Sequence, residues 1–128
     1  MMRAMNLSDG SPRSDLSIVV PVYRSEECLD ALVSAIEEAL DSAGYEYEVV
    51  LVNDGSPDNS WAVIEALCKA HPQVVGINLR RNFGQDNAII TGLRFARGNY
   101  VVIMDGGLQH LPRDIPVLLA KIKEGWDL

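Results

Sequence analysis

Four short apolar runs, at residues 16–23, 47–52, 74–79 and 100–104, alternate with stretches of helical periodicity. The run opening at Tyr100 is too unbroken for a half-solvated edge and reads as a strand buried on both faces. Between the runs, apolar residues fall at helical spacing. They are Leu29, Leu32, Val33, Ile36 and Leu40, then Trp61, Ile64 and Leu67, then Ala88, Ile89, Gly92 and Leu93. Ser25 is the expected N-cap of the first helix, with Glu26 and Glu27 in its first turn and Gly44 at its end. Asp58, Asn59 and Ser60 offer caps for the second, which stops at His71-Pro72. The third is expected over 85–96. A fourth begins near Pro112, with Ile115, Leu118, Leu119 and Ile122 as its stripe. Strand and helix alternating in this way predict an α/β fold. The expected architecture is an open, mainly parallel sheet with helices on both faces, joined by right-handed crossovers. The polar, aperiodic residues 1–14 read as a disordered arm and 15–128 as one folded part.

In such a sheet, ligands bind outside the carboxyl ends of the strands. Those ends here are Pro21-Val22-Tyr23, Asn53-Asp54-Gly55-Ser56, the Arg80-Arg81-Asn82 segment and Asp105-Gly106-Gly107. Asp105 is the first candidate for site chemistry, because the two glycines let the chain turn and a ligand come close. Asp54 reads either as a site acid or as a turn residue bonding its own backbone. Arg80 and Arg81 read either as phosphate-holding forks or as part of a solvated loop. His110 reads either as a ligand or as a loop residue, His71 as a helix end and Glu37-Glu38 as a solvated helix face. No G-x-G-x-x-G follows the first strand, and no P-loop occurs anywhere, which argues against dinucleotide and P-loop enzymes.

The chain carries a net charge of −7, from 18 acidic and 11 basic residues. That disfavours a nucleic-acid partner, for which a basic footprint is expected. A phosphorylated ligand would need a metal ion or local arginines to offset the repulsion. Cys28 and Cys68 have no metal-like spacing and read as small buried or half-buried thiols in a reducing compartment. With no bilayer-length apolar run and no signal core, the expected location is cytoplasmic.

In order along the chain stand Val19-Val20-Pro21-Val22-Tyr23, Val52-Asn53-Asp54-Gly55-Ser56, Arg81-Asn82-Phe83-Gly84-Gln85 and Met104-Asp105-Gly106-Gly107-Leu108-Gln109-His110. Together they resemble the inverting family-two glycosyltransferases, in particular the polyprenyl-phosphate branch. The resemblance implies the nucleotide-sugar-binding, Rossmann-like N-terminal half of a GT-A fold. By it, Pro21, Val22 and Tyr23 line a nucleoside pocket and Asp54 meets the base edge. Arg81 lies near the donor phosphates, Asp105 is the first acid of an Asp-x-Asp metal motif, and Gln109 faces the donor sugar. It implies Mg²⁺ or Mn²⁺ as cofactor, a UDP- or GDP-sugar as donor and polyprenyl phosphate as acceptor. The expected setting is the cytoplasmic face of the membrane, with room for a membrane-associated partner chain or a homo-oligomer.

The chain departs from that pattern in two places. Gly107 stands where the second acid is expected. A unit-charge pair about 4 Å apart is worth roughly 4 kcal/mol at an effective dielectric near 20, so metal binding is expected to weaken. Arg24-Ser25 replaces the usual Asn-Glu after the tyrosine. By the same resemblance, the acceptor half and its general base are expected to lie beyond these residues. A catalytically silent nucleotide-sugar-binding module is therefore the alternative. A receiver-like signalling domain lacks its acid cluster and lysine here.

Overall fold

The computed structural model describes residues 3–6, 15–104 and 116. Asp105, Gly106, Gly107, Gln109, His110 and the fourth helix expected from Pro112 lie outside the described residues. Eight elements follow in order: β1 (Arg3–Asn6), β2 (Leu16–Val22), α1 (Leu29–Ala43), β3 (Tyr47–Asn53), α2 (Ser60–Ala70), β4 (Val74–Asn78), α3 (Gln85–Phe95) and β5 (Tyr100–Ile103). The strands form one sheet in the order β1-β5-β2-β3-β4. β2 to β5 are parallel, and β1 runs antiparallel to β5. The arm reading of 1–14 gave no strand to Arg3–Asn6, which instead pairs residue for residue with Tyr100–Ile103.

The order contains one reversal. The chain steps from β2 to β3 to β4 in one direction, then returns to place β5 on the other side of β2. Right-handed crossovers put helices of opposite travel on opposite faces. Accordingly α1 and α2 pack on one face and α3 on the other. The side chains alternate to match. Leu16, Ile18, Val20 and Val22 of β2 join Val49 and Leu51 under α1 and α2. Val19 joins Val50, Val52, Val101 and Ile103 against Ala88 and Ile89 of α3. Every residue of β2 is buried, as expected of the central strand.

Pro21 shapes the reversal point. Val19 turns its carbonyl to β5, accepting from the Met104 N–H (2.9 Å), and Val22 turns its carbonyl to β3, accepting from the Asp54 N–H (2.8 Å). Alternation along the strand then aims the Pro21 nitrogen at β5, just past the last paired residue, Val19↔Ile103. A nitrogen without a proton ends the ladder there. β2 and β5 therefore separate at their carboxyl ends, which is where a crevice opens in this topology.

Local signals were read less well than the stripes. Helix α1 begins at Leu29, after a turn in which the Cys28 N–H bonds the Ser25 carbonyl (2.9 Å). Ser25 is thus a turn residue whose hydroxyl donates to the Tyr23 carbonyl (3.1 Å), not the N-cap. Gly44 does close α1, at φ 77°. Glu37 is not a solvated residue: its Oε1 lies 2.5 Å from His71 Nδ1, linking α1 to the end of α2. At the far end of the sheet, the buried Ser17 hydroxyl donates to Glu48 (2.6 Å) and accepts from the Gly98 N–H (2.7 Å). That fastens the α3–β5 connection beneath β2.

Candidate active-site rim

β2, β3 and β4 end level with one another, with Val22 opposite Asn53 and Asn53 opposite Asn78. The residues that follow, Tyr23, Asp54 and Leu79, begin three loops along one rim. Met104, at the end of β5, is held to β2 at the same edge of the sheet.

The three loops are tied mainly to each other. Asp54 is 3% exposed, and its Oδ1 accepts the backbone N–H of Phe83 at 2.8 Å. Gly55 has φ 66°, and a Cβ there would run into the backbone of Arg81 and Asn82. Only glycine combines that conformation with that closeness. Ser56 Oγ accepts from the Arg24 N–H (3.1 Å), and Ser60 Oγ accepts from the Ser25 N–H (3.0 Å). Asp58 Oδ1 in turn accepts from the Ser60 hydroxyl (2.7 Å) and N–H (3.0 Å). Burial pushes the Asp58 carboxyl up, but these bonds and that from the Glu26 N–H outweigh it and hold it below its ordinary value. Within the third loop, Asn82 Oδ1 accepts the Gly84 N–H (2.9 Å), which shapes the entry to α3.

Two of the arginines on these loops lie over aromatic rings. Arg24, at the non-glycine φ of 52°, lies over the Tyr23 ring at 5.4 Å. Arg81 lies over the Phe83 ring at 4.8 Å. Stacking holds a guanidinium without consuming its N–H donors, which stay open to an anion. Tyr23 and Phe83 are each a little over 40% exposed.

Of the residues singled out in the sequence, the structure brings Tyr23, Asp54 and Arg81 to this one edge. Pro21 and Val22 are at its base, with the Val22 side chain fully buried under α1. Asp105 and Gln109 lie outside the described residues. Sequence reasoning missed Asn53, whose Nδ2 donates to Asn78 Oδ1 (2.9 Å) while its own Oδ1 is buried without a partner. It also missed the loop-tying part of Asp54, whose partner is 29 residues away. Among the described residues, no three His, Cys, Asp or Glu side chains cluster to hold a metal ion.

The described residues form a Rossmann-like α/β sheet with a strand-order reversal and the buried acid Asp54 at its carboxyl rim, the architecture of the GT-A type. Residues 17–128 match Glycosyl transferase family 2, and the chain belongs to that family. It is 49% identical over 114 residues to the undecaprenyl-phosphate 4-deoxy-4-formamido-L-arabinose transferase of Shewanella sediminis (strain HAW-EB3). That match takes in 88% of this chain and 34% of the relative, so the chain spans about a third of the relative's length. A mannosyltransferase of Pyrobaculum calidifontis, solved with GDP-Man and Mn²⁺, superposes with a TM-score of 0.61 at 28% identity, over 91% of this chain and 34% of its own. S. aureus TarS 1-349, solved with UDP-GlcNAc, shares the fold with a TM-score of 0.71 at 24% identity, over 86% of this chain and 31% of its own.

Proposed function

We propose that this chain is the donor-binding part of an inverting glycosyltransferase that moves a sugar from a nucleoside diphosphate to polyprenyl phosphate. The observation that carries the reading is the cross-tied rim beside the strand-order reversal, in a chain 49% identical to a transferase named for an undecaprenyl-phosphate acceptor. In the proposed chemistry an acceptor phosphate oxygen attacks the anomeric carbon. The bond from that carbon to the diphosphate breaks, and the nucleoside diphosphate leaves with the electron pair. Such a reaction needs in-line positioning and compensation of charge on the leaving group. Tyr23, above Pro21 and Val22, would stack the base, and Asp54 would present its remaining oxygen to the base edge. Arg81, preset by Phe83, would fork onto the diphosphate. Asp105 and Gln109 complete the proposal beside the sugar. A divalent cation, Mg²⁺ or Mn²⁺, belongs to the reading: Asp105 would hold it, and it would offset the charge that develops on the leaving diphosphate. The relative's name favours transfer over a silent binding module. Among the described residues no helix is long and apolar enough to cross a membrane. The proposed setting is the cytoplasmic membrane face.

Titration calorimetry of the chain with UDP- and GDP-sugars in Mn²⁺ tests this. Saturable binding of one donor, weakened at least tenfold in Arg81→Ala and by chelation, is expected. No binding of either donor class would defeat the proposal.

A further inference from the structure

We propose that the outer face of α3, with the segment leading into it, is a docking surface for an anionic lipid bilayer. The inner stripe of α3, Ala88, Ile89 and Gly92, is buried against β2 and β3. On the outer side, Phe83 and Ile90 are 43% and 48% exposed. With Leu79 and Arg94 they border an open groove of about 260 Å³ that starts at the rim and runs down the helix. Ile90 therefore stands in the open in the middle of a helix whose core-facing side is already filled.

Charge selects the occupant. The chain as a whole is at −7, yet residues 79–97 hold four arginines against one acid, Asp86, leaving +3. Arg80, Arg81, Arg94 and Arg97 are all exposed. No carboxylate among the described residues pairs with any of them, the one ion pair there being His71–Glu37. Arg80 precedes α3, and Arg94 and Arg97 lie at its other end; Arg81, assigned above to the diphosphate, is not needed for the lipid contact. The cations thus bracket an exposed apolar centre over about 16 Å of helix. Exposed apolar side chains flanked by arginines suit the headgroup region of a bilayer, where the apolar groups enter and the guanidinium groups meet phosphates. Choosing a bilayer over an acidic protein rests on the polyprenyl-phosphate reading above. The surface chemistry itself does not.

The test is co-sedimentation of the chain with phosphatidylcholine vesicles, with and without about a third phosphatidylglycerol. Binding only to the anionic vesicles is expected. It should be lost between about 0.1 M and about 1 M salt, as the screening length falls from about 10 Å to about 3 Å. Arg94→Gln should weaken binding about fivefold, the usual worth of one basic side chain at such a surface. Ile90→Glu should weaken it further, and Lys69→Gln, on α2 across the sheet, should leave it unchanged. Circular dichroism checks that the variants fold. Equal binding to neutral vesicles, no binding, or unchanged binding in both α3 variants would overturn the proposal. So would self-association abolished by Ile90→Glu, which would make a second copy the occupant. Donor calorimetry on the same variants separates the two readings. Vesicle binding without donor binding supports the docking surface and removes the transfer reading. Donor binding without vesicle binding does the reverse.

Discussion

Asp54 shows how one carboxylate can serve fold and site together. Its Oδ1 satisfies the Phe83 N–H in a nearly buried position. Asp54→Ala strands that donor, at an expected cost of about 1–3 kcal/mol. Asp54→Asn keeps a carbonyl oxygen for it and should remain close to wild type in urea unfolding. If donor affinity nonetheless falls in Asp54→Asn, the carboxylate has a second task at the base edge. Gly55→Ala combines a left-handed φ with a collision against the Arg81–Asn82 backbone. It should cost about 1–3 kcal/mol and lower donor affinity by moving Arg81. Asp58 gives a pH signature. Its carboxyl is held below the ordinary 3.8, so its stabilisation is full above that value and disappears as pH falls through the lower folded value. Thermal melts between neutral and strongly acidic pH should show a shallower acid-side loss in Asp58→Asn than in wild type. That an acid belonged at this rim was legible in Asn53-Asp54-Gly55-Ser56. Its partner was not, because Phe83 is far off in sequence and contributes only a backbone proton, which no side-chain pattern records.

At the scale of elements, periodicity carried most of the information. The α1 stripe, Leu29 to Leu40, is buried as its spacing required. What escaped was anything decided by a neighbour. Arg3–Asn6 has no strand-like alternation and becomes a strand by pairing with the edge of β5. Ser25 has a cap's chemistry, but the Ser25–Cys28 turn delays the helix until Leu29. Gly92 looked like an ordinary helix position, yet its bare α-carbon is where α3 meets Val19 and Val52. Gly92→Ala should gain up to about 1 kcal/mol of helix propensity. It should lose about 1–3 kcal/mol by forcing a methyl into Val19 and, at 3.2 Å, Val52. Both valines are β-branched and locked in central strands, so the loss should win, as a lowered urea midpoint with an unchanged m-value.

For the whole molecule, the alternation of elements and the handedness of their crossovers predict a parallel sheet with helices on both faces, while the order of its strands, the side taken by β5 and the antiparallel β1 had to be seen. A ligand at the reversal point touches loops from several strands, so its binding should be felt by the entire fold. Donor at about a hundredfold over its dissociation constant should add about 2.7 kcal/mol and raise Tm by about 10 °C. Removing divalent cation with a chelator should erase most of that gain. Gly107→Asp should strengthen Mn²⁺ retention, measured by calorimetry without donor.

The bonds that join Arg24 to Ser56 and Asp54 to Phe83 run from loop to loop, and so does the close approach of Gly55 to the Arg81–Asn82 backbone. A designer who transplants any single one of these segments from another member of the family severs contacts that its new neighbours were never shaped to replace. Preference for one base or sugar over another should consequently be exchanged only as a block of three segments, inherited or engineered together.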